Sequence, residues 1–162
     1  MSGAIIDLVK AFNLLPRVPV LTILAHLNVA GPIIRGWANA LVHMKRRFQI
    51  RQAIGPGIAS CTGFAEGDAW SVTAMLAVNL VCHAWCKVRF PSVHLWSYVD
   101  NIELTCSSAD SAIQSLNGLF EFADLINVQI DADKTFLWST SANERKIIRA
   151  ENLIVKHNAR DL

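Results

Sequence analysis

No aspartate or glutamate occurs between residues 8 and 65. That stretch carries Lys10, Arg17, Arg35, Lys45, Arg46, Arg47 and Arg51, so a formal net charge of only +2 conceals a basic first half and a net acidic remainder. A half without negative charge suits a polyanion held around one acid, Asp7. For any single one of these cations, solvated surface is the plainer reading. Charge of either sign is sparse, 17% against 52% hydrophobic residues, which excludes a disordered chain. No paired cysteine framework exists either: Cys61, Cys82, Cys86 and Cys106 stand unmatched. A chain of 162 residues buries a core without such staples, so reduced thiols in an intracellular setting are expected. Cys82, His83 and Cys86 sit close together in an apolar run, but no second ligand pair stands at zinc-site spacing, so core cysteines are expected. Internal repeats and low-complexity linkers are absent, which predicts one domain over 1–162. A signal peptide is not expected, because Pro16, Arg17 and Pro19 interrupt the apolar residues 14–30 and no basic stretch precedes them. The run Ala69 to Cys86 has about the length needed to span a bilayer. It also holds Ser71, Thr73, Asn79 and His83, costly in lipid, so a buried core helix and no membrane are predicted.

What is present reads as alternating element types. Gly3 to Asp7 is a short apolar run ending in an acid, a buried strand. Pro16 and Pro19 break the chain before a helix near 20–29, and Gly31-Pro32 turns it into a second helix from Ile33 to Met44. Arg47 to Arg51 alternates polar and apolar, as a strand with one wet face does. A glycine-bearing loop, 55–67, leads to a helix near 69–87 with Asp68 at its cap. Val93 to Thr105 alternates and centres on Asp100-Asn101, a hairpin turn signal. Ser107 or Ser108 caps an amphipathic helix to about 126, whose buried face would use Leu116, Leu119, Phe120, Ala123 and Leu125. Val128 to Ile130 and Thr135 to Trp138 are β-prone on either side of Asp131 to Lys134. The tail, 142–162, reads as a helix and then a strand. The fold class this predicts is α+β, a mostly antiparallel sheet with helices packed on one face.

Four segments carry chemistry. Asp7 to Arg17 reads Asp-Leu-Val-Lys-Ala-Phe-Asn-Leu-Leu-Pro-Arg; Gly63 to Ser71 reads Gly-Phe-Ala-Glu-Gly-Asp-Ala-Trp-Ser; Ser97 to Asn101 reads Ser-Tyr-Val-Asp-Asn; Leu125 to Thr135 ends in Asp-Lys-Thr. Taken singly, each has an ordinary alternative: a helix cap, a loop into a helix, a hairpin turn, a surface lysine. Together, in this order, they resemble the motifs of the reverse transcriptase palm, in its non-long-terminal-repeat and group II intron branch. The resemblance implies a polymerase palm and RNA-directed DNA polymerase activity. It implies that Asp7 and Asp100 bind two Mg²⁺ or Mn²⁺ ions about 3.5–4 Å apart, with Asn101 in place of a second acid. It gives Lys134 to the leaving pyrophosphate, as a general acid if its pKa is lowered. Phe12 would exclude a ribose 2′-hydroxyl, and Glu66 and Gly67 would support template and nucleotide. Two departures stand out: Ala65 and Glu66 occupy places where many members have Pro and Gln.

The partners implied are an RNA template, a DNA or RNA primer and a dNTP. Template–primer would lie over the sheet. Fingers would precede Asp7 and a thumb follow Leu162, so the chain is expected to be a palm from a larger polymerase with possible fused modules. Asn158 to Leu162 would begin a primer-gripping segment. Three other readings stay open: a degenerate palm that only binds nucleic acid or protein, an RNA-directed RNA polymerase, and a membrane protein built on 69–86. Phe12 speaks against the second, because ribonucleotide polymerases need a polar group that accepts the ribose.

Overall fold

The computed structural model describes residues 1–65 and 67–151. Its framework is a four-stranded sheet built around the first strand, β1 (Ser2–Ile6). Three short helices follow: α1 (Ala11–Leu14), α2 (Arg17–His26) and α3 (Gly31–His43). Two small ribbons come next, β2 (Lys45–Arg46) paired with β5 (Ile58–Ala59), and between them β3 (Gln49–Ile50) paired with β4 (Ala53–Ile54). The long helix α4 (Ala69–Arg89) leads into the hairpin of β6 (His94–Tyr98) and β7 (Asn101–Cys106). Then come α5 (Ala109–Ile126), β8 (Phe136–Ser139) and α6 (Ala142–Ala150). The sheet order is β6-β7-β1-β8, antiparallel throughout. The fold is therefore α+β with an antiparallel sheet, as the pattern predicted.

Alternation along the strands gives the sheet two unlike faces. Ala4, Ile6, Ile102, Leu104 and Cys106 are buried on the helix side, with Leu116 and Leu119 of α5 and Met75, Val78 and Cys82 of α4. Gly3, Ile5, Asn101, Glu103, Thr105, Trp96 and Tyr98 lie on the other side by the same register. Trp96 and Tyr98 are exposed there, and Trp138 folds over Gly3. α4 is long and apolar enough to cross a membrane by length and composition. In the fold it buries one side, Ser71, Met75, Val78, Asn79, Cys82 and Cys86, into the core. Cys82, Cys86 and Cys106 are buried free thiols, as expected of core cysteines; Cys61 is exposed.

Several boundaries differ from the sequence reading. Pro19 does not precede α2 but sits in its first turn, where a missing N–H costs no helical bond. Residues 47–51 do not form one half-wet strand: Phe48 and Ile50 are both largely exposed and only Gln49–Ile50 pairs. Leu125 is 76% exposed rather than buried, while Leu116, Leu119 and Ala123 are in the core. The hairpin turn centres on Val99-Asp100, one residue earlier than predicted, and Asn101 is the first residue of β7, paired with Tyr98. The strand and primer-gripping segment expected near the C-terminus lie outside the described residues.

Candidate active site

Asp7 follows the last paired residue of β1, where Ile6 faces Ile102. One step further along that register lies Asn101, with Asp100 on the turn beyond it. Ile6 and Leu8 are buried, so alternation turns Asp7 to the open side of the sheet, the side of Asn101. The backbone of Asp7 is fixed at both ends. Its N–H donates to Thr135 Oγ1 at 3.3 Å, and its carbonyl accepts from Asp131 N–H at 2.8 Å. Next to it Leu8 bridges Ile130, and Val9 N–H donates to the Gln129 carbonyl. The fourth segment thus wraps the end of β1. Asp131 accepts from Asp133 N–H through its own side chain, closing the 131–134 turn and aiming Lys134 back.

Lys134 Nζ lies 2.8 Å from Asp7 Oδ2 and 3.7 Å from Asp131 Oδ2. Asp7 is mostly buried, its side chain 17% accessible, whereas that of Lys134 is 65% accessible. The hydrogen bond and charge of Asp7 push the Lys134 pKa up. Against Asp7 alone the lysine is held charged; a lowered pKa is expected of it only beside phosphate and metal. The structure brings Asp7 and Lys134 into contact and sets Asp100 and Asn101 at the adjacent hairpin.

Phe12 is half-buried against the core, and its carbonyl accepts from Phe64 N–H at 2.7 Å. The glycine-bearing loop is therefore tied to the first segment. Gly63 takes φ +72, and a Cβ there would collide with the Asn13 carbonyl; only glycine permits that approach. Gly67 also has positive φ, +83, just before Asp68, whose side chain caps α4 by accepting from Trp70 N–H. Glu66 lies outside the described residues.

Two residues that hold the surroundings of the site together escaped the sequence reading. Arg17, grouped there with the solvated or phosphate-facing cations, donates to the carbonyls of Leu41, Ser60, Thr62 and Gly63, so it staples α3 and the loop to α2. Its pKa is pushed down by burial first and by Arg46 second. Asn79, seen only as a polar break in an apolar run, donates from Nδ2 to the Val99 carbonyl at 2.7 Å, inside the hairpin turn. The readable signal was its place on the same helical stripe as Met75, Cys82 and Cys86.

The Asp7 and Asp100 carboxylates and the Asn101 amide oxygen, carried on neighbouring strand ends, are hard oxygens of the kind Mg²⁺ and Mn²⁺ take. Among the described residues no three His, Cys, Asp or Glu side chains already converge as a cage. Lys134 already neutralises Asp7, so a divalent ion at this carboxylate would have to displace the ammonium. No family model matches the chain, and no curated protein matches it in sequence.

Proposed function

We propose that this chain is the palm of an RNA-directed DNA polymerase, joining dNTPs to a primer 3′-hydroxyl on an RNA template. The observation that carries the reading is the register that sets Asp7, at the end of β1, beside the Asp100-Asn101 hairpin. The first of the four segments that suggested a palm thus borders the third, and along its length it touches the second and the fourth. Asp7 and Asp100 would hold divalent ions, with the weaker help of Asn101. Such ions, when bound, stabilise charge on a transferring phosphoryl group and activate the attacking hydroxyl. The protein's own part is positioning. The two backbone bonds of Asp7 fix its carboxylate, and Phe12 offers a ring whose backbone the loop immobilises. Lys134, exposed and charged, is free to exchange Asp7 for phosphate oxygens.

A second reading, a palm that binds nucleic acid without catalysis, is favoured by Asn101 and by the neutralisation of Asp7 by Lys134. Primer extension on a homopolymer RNA template separates the two, with the chain expressed within its native open reading frame and supplied with Mg²⁺ or Mn²⁺ and dNTPs or rNTPs. Incorporation of dNTPs that disappears in Asp7→Ala and Asp100→Asn is the expected result. Incorporation unchanged in Asp7→Ala would overturn the site, and none from wild type or Asn101→Asp would favour the non-catalytic reading.

A further inference from the structure

The turn that presents Asp100 is not stabilised by its own sequence. Val99, its first central residue, has φ +57. Left-handed backbone at the head of a hairpin turn ordinarily belongs to Gly, Asn or Asp. In a β-branched residue it is an outlier that persists only where the surroundings impose it. One element of those surroundings is visible. Asn79 of α4, only 3% exposed, donates Nδ2 to the Val99 carbonyl at 2.7 Å.

Asn79 is an expensive choice for that position. Its Oδ1 is buried without a hydrogen-bond partner. It borders an apolar cavity of about 20 Å³ lined by Ile6, Leu8, Met75, Cys82 and Ile102 among others. A leucine would fill that space and remove the orphan acceptor. The same cavity also places Asn79 directly behind the candidate site. Ile6 and Leu8 flank Asp7 in sequence, and Ile102 follows Asn101, so one core position underlies both acid-bearing segments.

We propose that Asn79 is a positioning residue: its amide holds Val99 in the left-handed conformation and so fixes the direction in which Asp100 leaves the hairpin. The proposal rests on the reading of Asp100 as a site carboxylate for its purpose, but not for its structural content. Because the orphan oxygen opposes stability, the clamp and the fold respond in opposite senses to the same substitution.

The test is a cycle of Asn79→Leu and Val99→Asn in the full chain, read by amide hydrogen exchange over 97–102, by Tm and by Mn²⁺ binding in electron paramagnetic resonance. Asn79→Leu is expected to speed exchange at the turn roughly tenfold or more, a local opening, with Tm unchanged or raised and Mn²⁺ affinity lowered. Asparagine tolerates the left-handed region, so adding Val99→Asn should bring exchange back to within about twofold of wild type. Turn exchange unmoved by Asn79→Leu overturns the proposal. If Asn79→Leu does not fold, Val99→Asn alone decides: slower exchange at the turn supports the clamp, and faster exchange sinks it. A turn released by Asn79→Leu in a protein that binds no Mn²⁺ upholds the clamp and overturns the metal reading. A turn unmoved, in a protein whose Mn²⁺ binding is abolished by Asp7→Ala, does the reverse.

Discussion

Lys134 reaches Asp7 from the far end of the described chain, and the pair is asymmetric: the acid is mostly enclosed and the cation is not. Because the lysine pKa is raised by its partner, the lysine's contribution to the pair is fully present below the ordinary lysine range and is lost as pH rises through the raised value. Neutral pH leaves it intact. A divalent ion at Asp7 must then compete with an ammonium already there. Lys134→Met removes the competitor, so Mn²⁺ affinity is expected to rise roughly two- to fivefold, the range over which exposed ion pairs act. Nucleotide affinity should fall in the same variant; a titration showing both constants moving together would contradict an exchange of partners. Arg17 has the opposite character. It makes four bonds to carbonyls from two separate segments, α3 and the loop at 60–63. Arg17→Ala leaves those acceptors without a donor and is expected to cost about 2 kcal/mol, read from a urea midpoint. Arg17→Lys should recover little, since an ammonium lacks the planar fan of donors.

Among the elements, α5 shows how far a helix can be read from its residues. Ser108 caps it as expected, accepting from Ser111 N–H, and Leu116, Leu119 and Ala123 are buried. The stripe continued on paper to Leu125, but the helix ends at Asn127 in left-handed backbone and leaves Leu125 in solvent. Gly118, in mid-helix, gave no sign of its role. It faces the ring of Phe90 so closely that an added Cβ would lie 2.5 Å from it and 3.3 Å from Trp85. Alanine there gains helix propensity but forces the Trp85–Phe90 pair apart. Gly118→Ala is therefore expected to destabilise by about 1–3 kcal/mol, and Leu125→Lys to stay within about 0.5 kcal/mol, both by thermal melting. The order of strands and helices was legible because it rests on period and punctuation, which are local. The contact of Lys134 with Asp7, the four carbonyls on Arg17 and the clamp on Val99 were not, because each joins segments distant in sequence. The one-residue shift of the hairpin turn has the same origin: Asp100-Asn101 is the better turn dipeptide, but pairing of Tyr98 with Asn101 and the bond from Asn79 hold Val99 at the corner.

At the scale of the whole molecule, the question is where a polyanion would lie. The basic half does not present all its charge. Arg17 is spent on backbone carbonyls, and Arg46 donates to Asn13 Oδ1. Lys45, Arg47 and Arg51 are exposed instead, on or beside the small ribbons, and Lys45 and Arg47 flank Gly57 from one side. The sheet's open face carries Trp96 and Tyr98 but also Glu103, so it offers rings to stack on rather than positive charge. Affinity and placement should therefore separate. Lys45→Ala, Arg47→Ala and Arg51→Ala combined should weaken binding to an RNA–DNA template–primer. Together they should also flatten its salt dependence by about 2–3 in the slope of log K against log salt, roughly 0.9 for each phosphate no longer neutralised. Trp96→Ala should lower affinity with the slope unchanged, because stacking releases no counterions. Arg17→Lys should leave the slope alone as well. Fluorescence anisotropy across a salt series measures all three, and a slope that falls for Arg17→Lys but not for the ribbon triple would move the nucleic-acid path from the ribbons to α2.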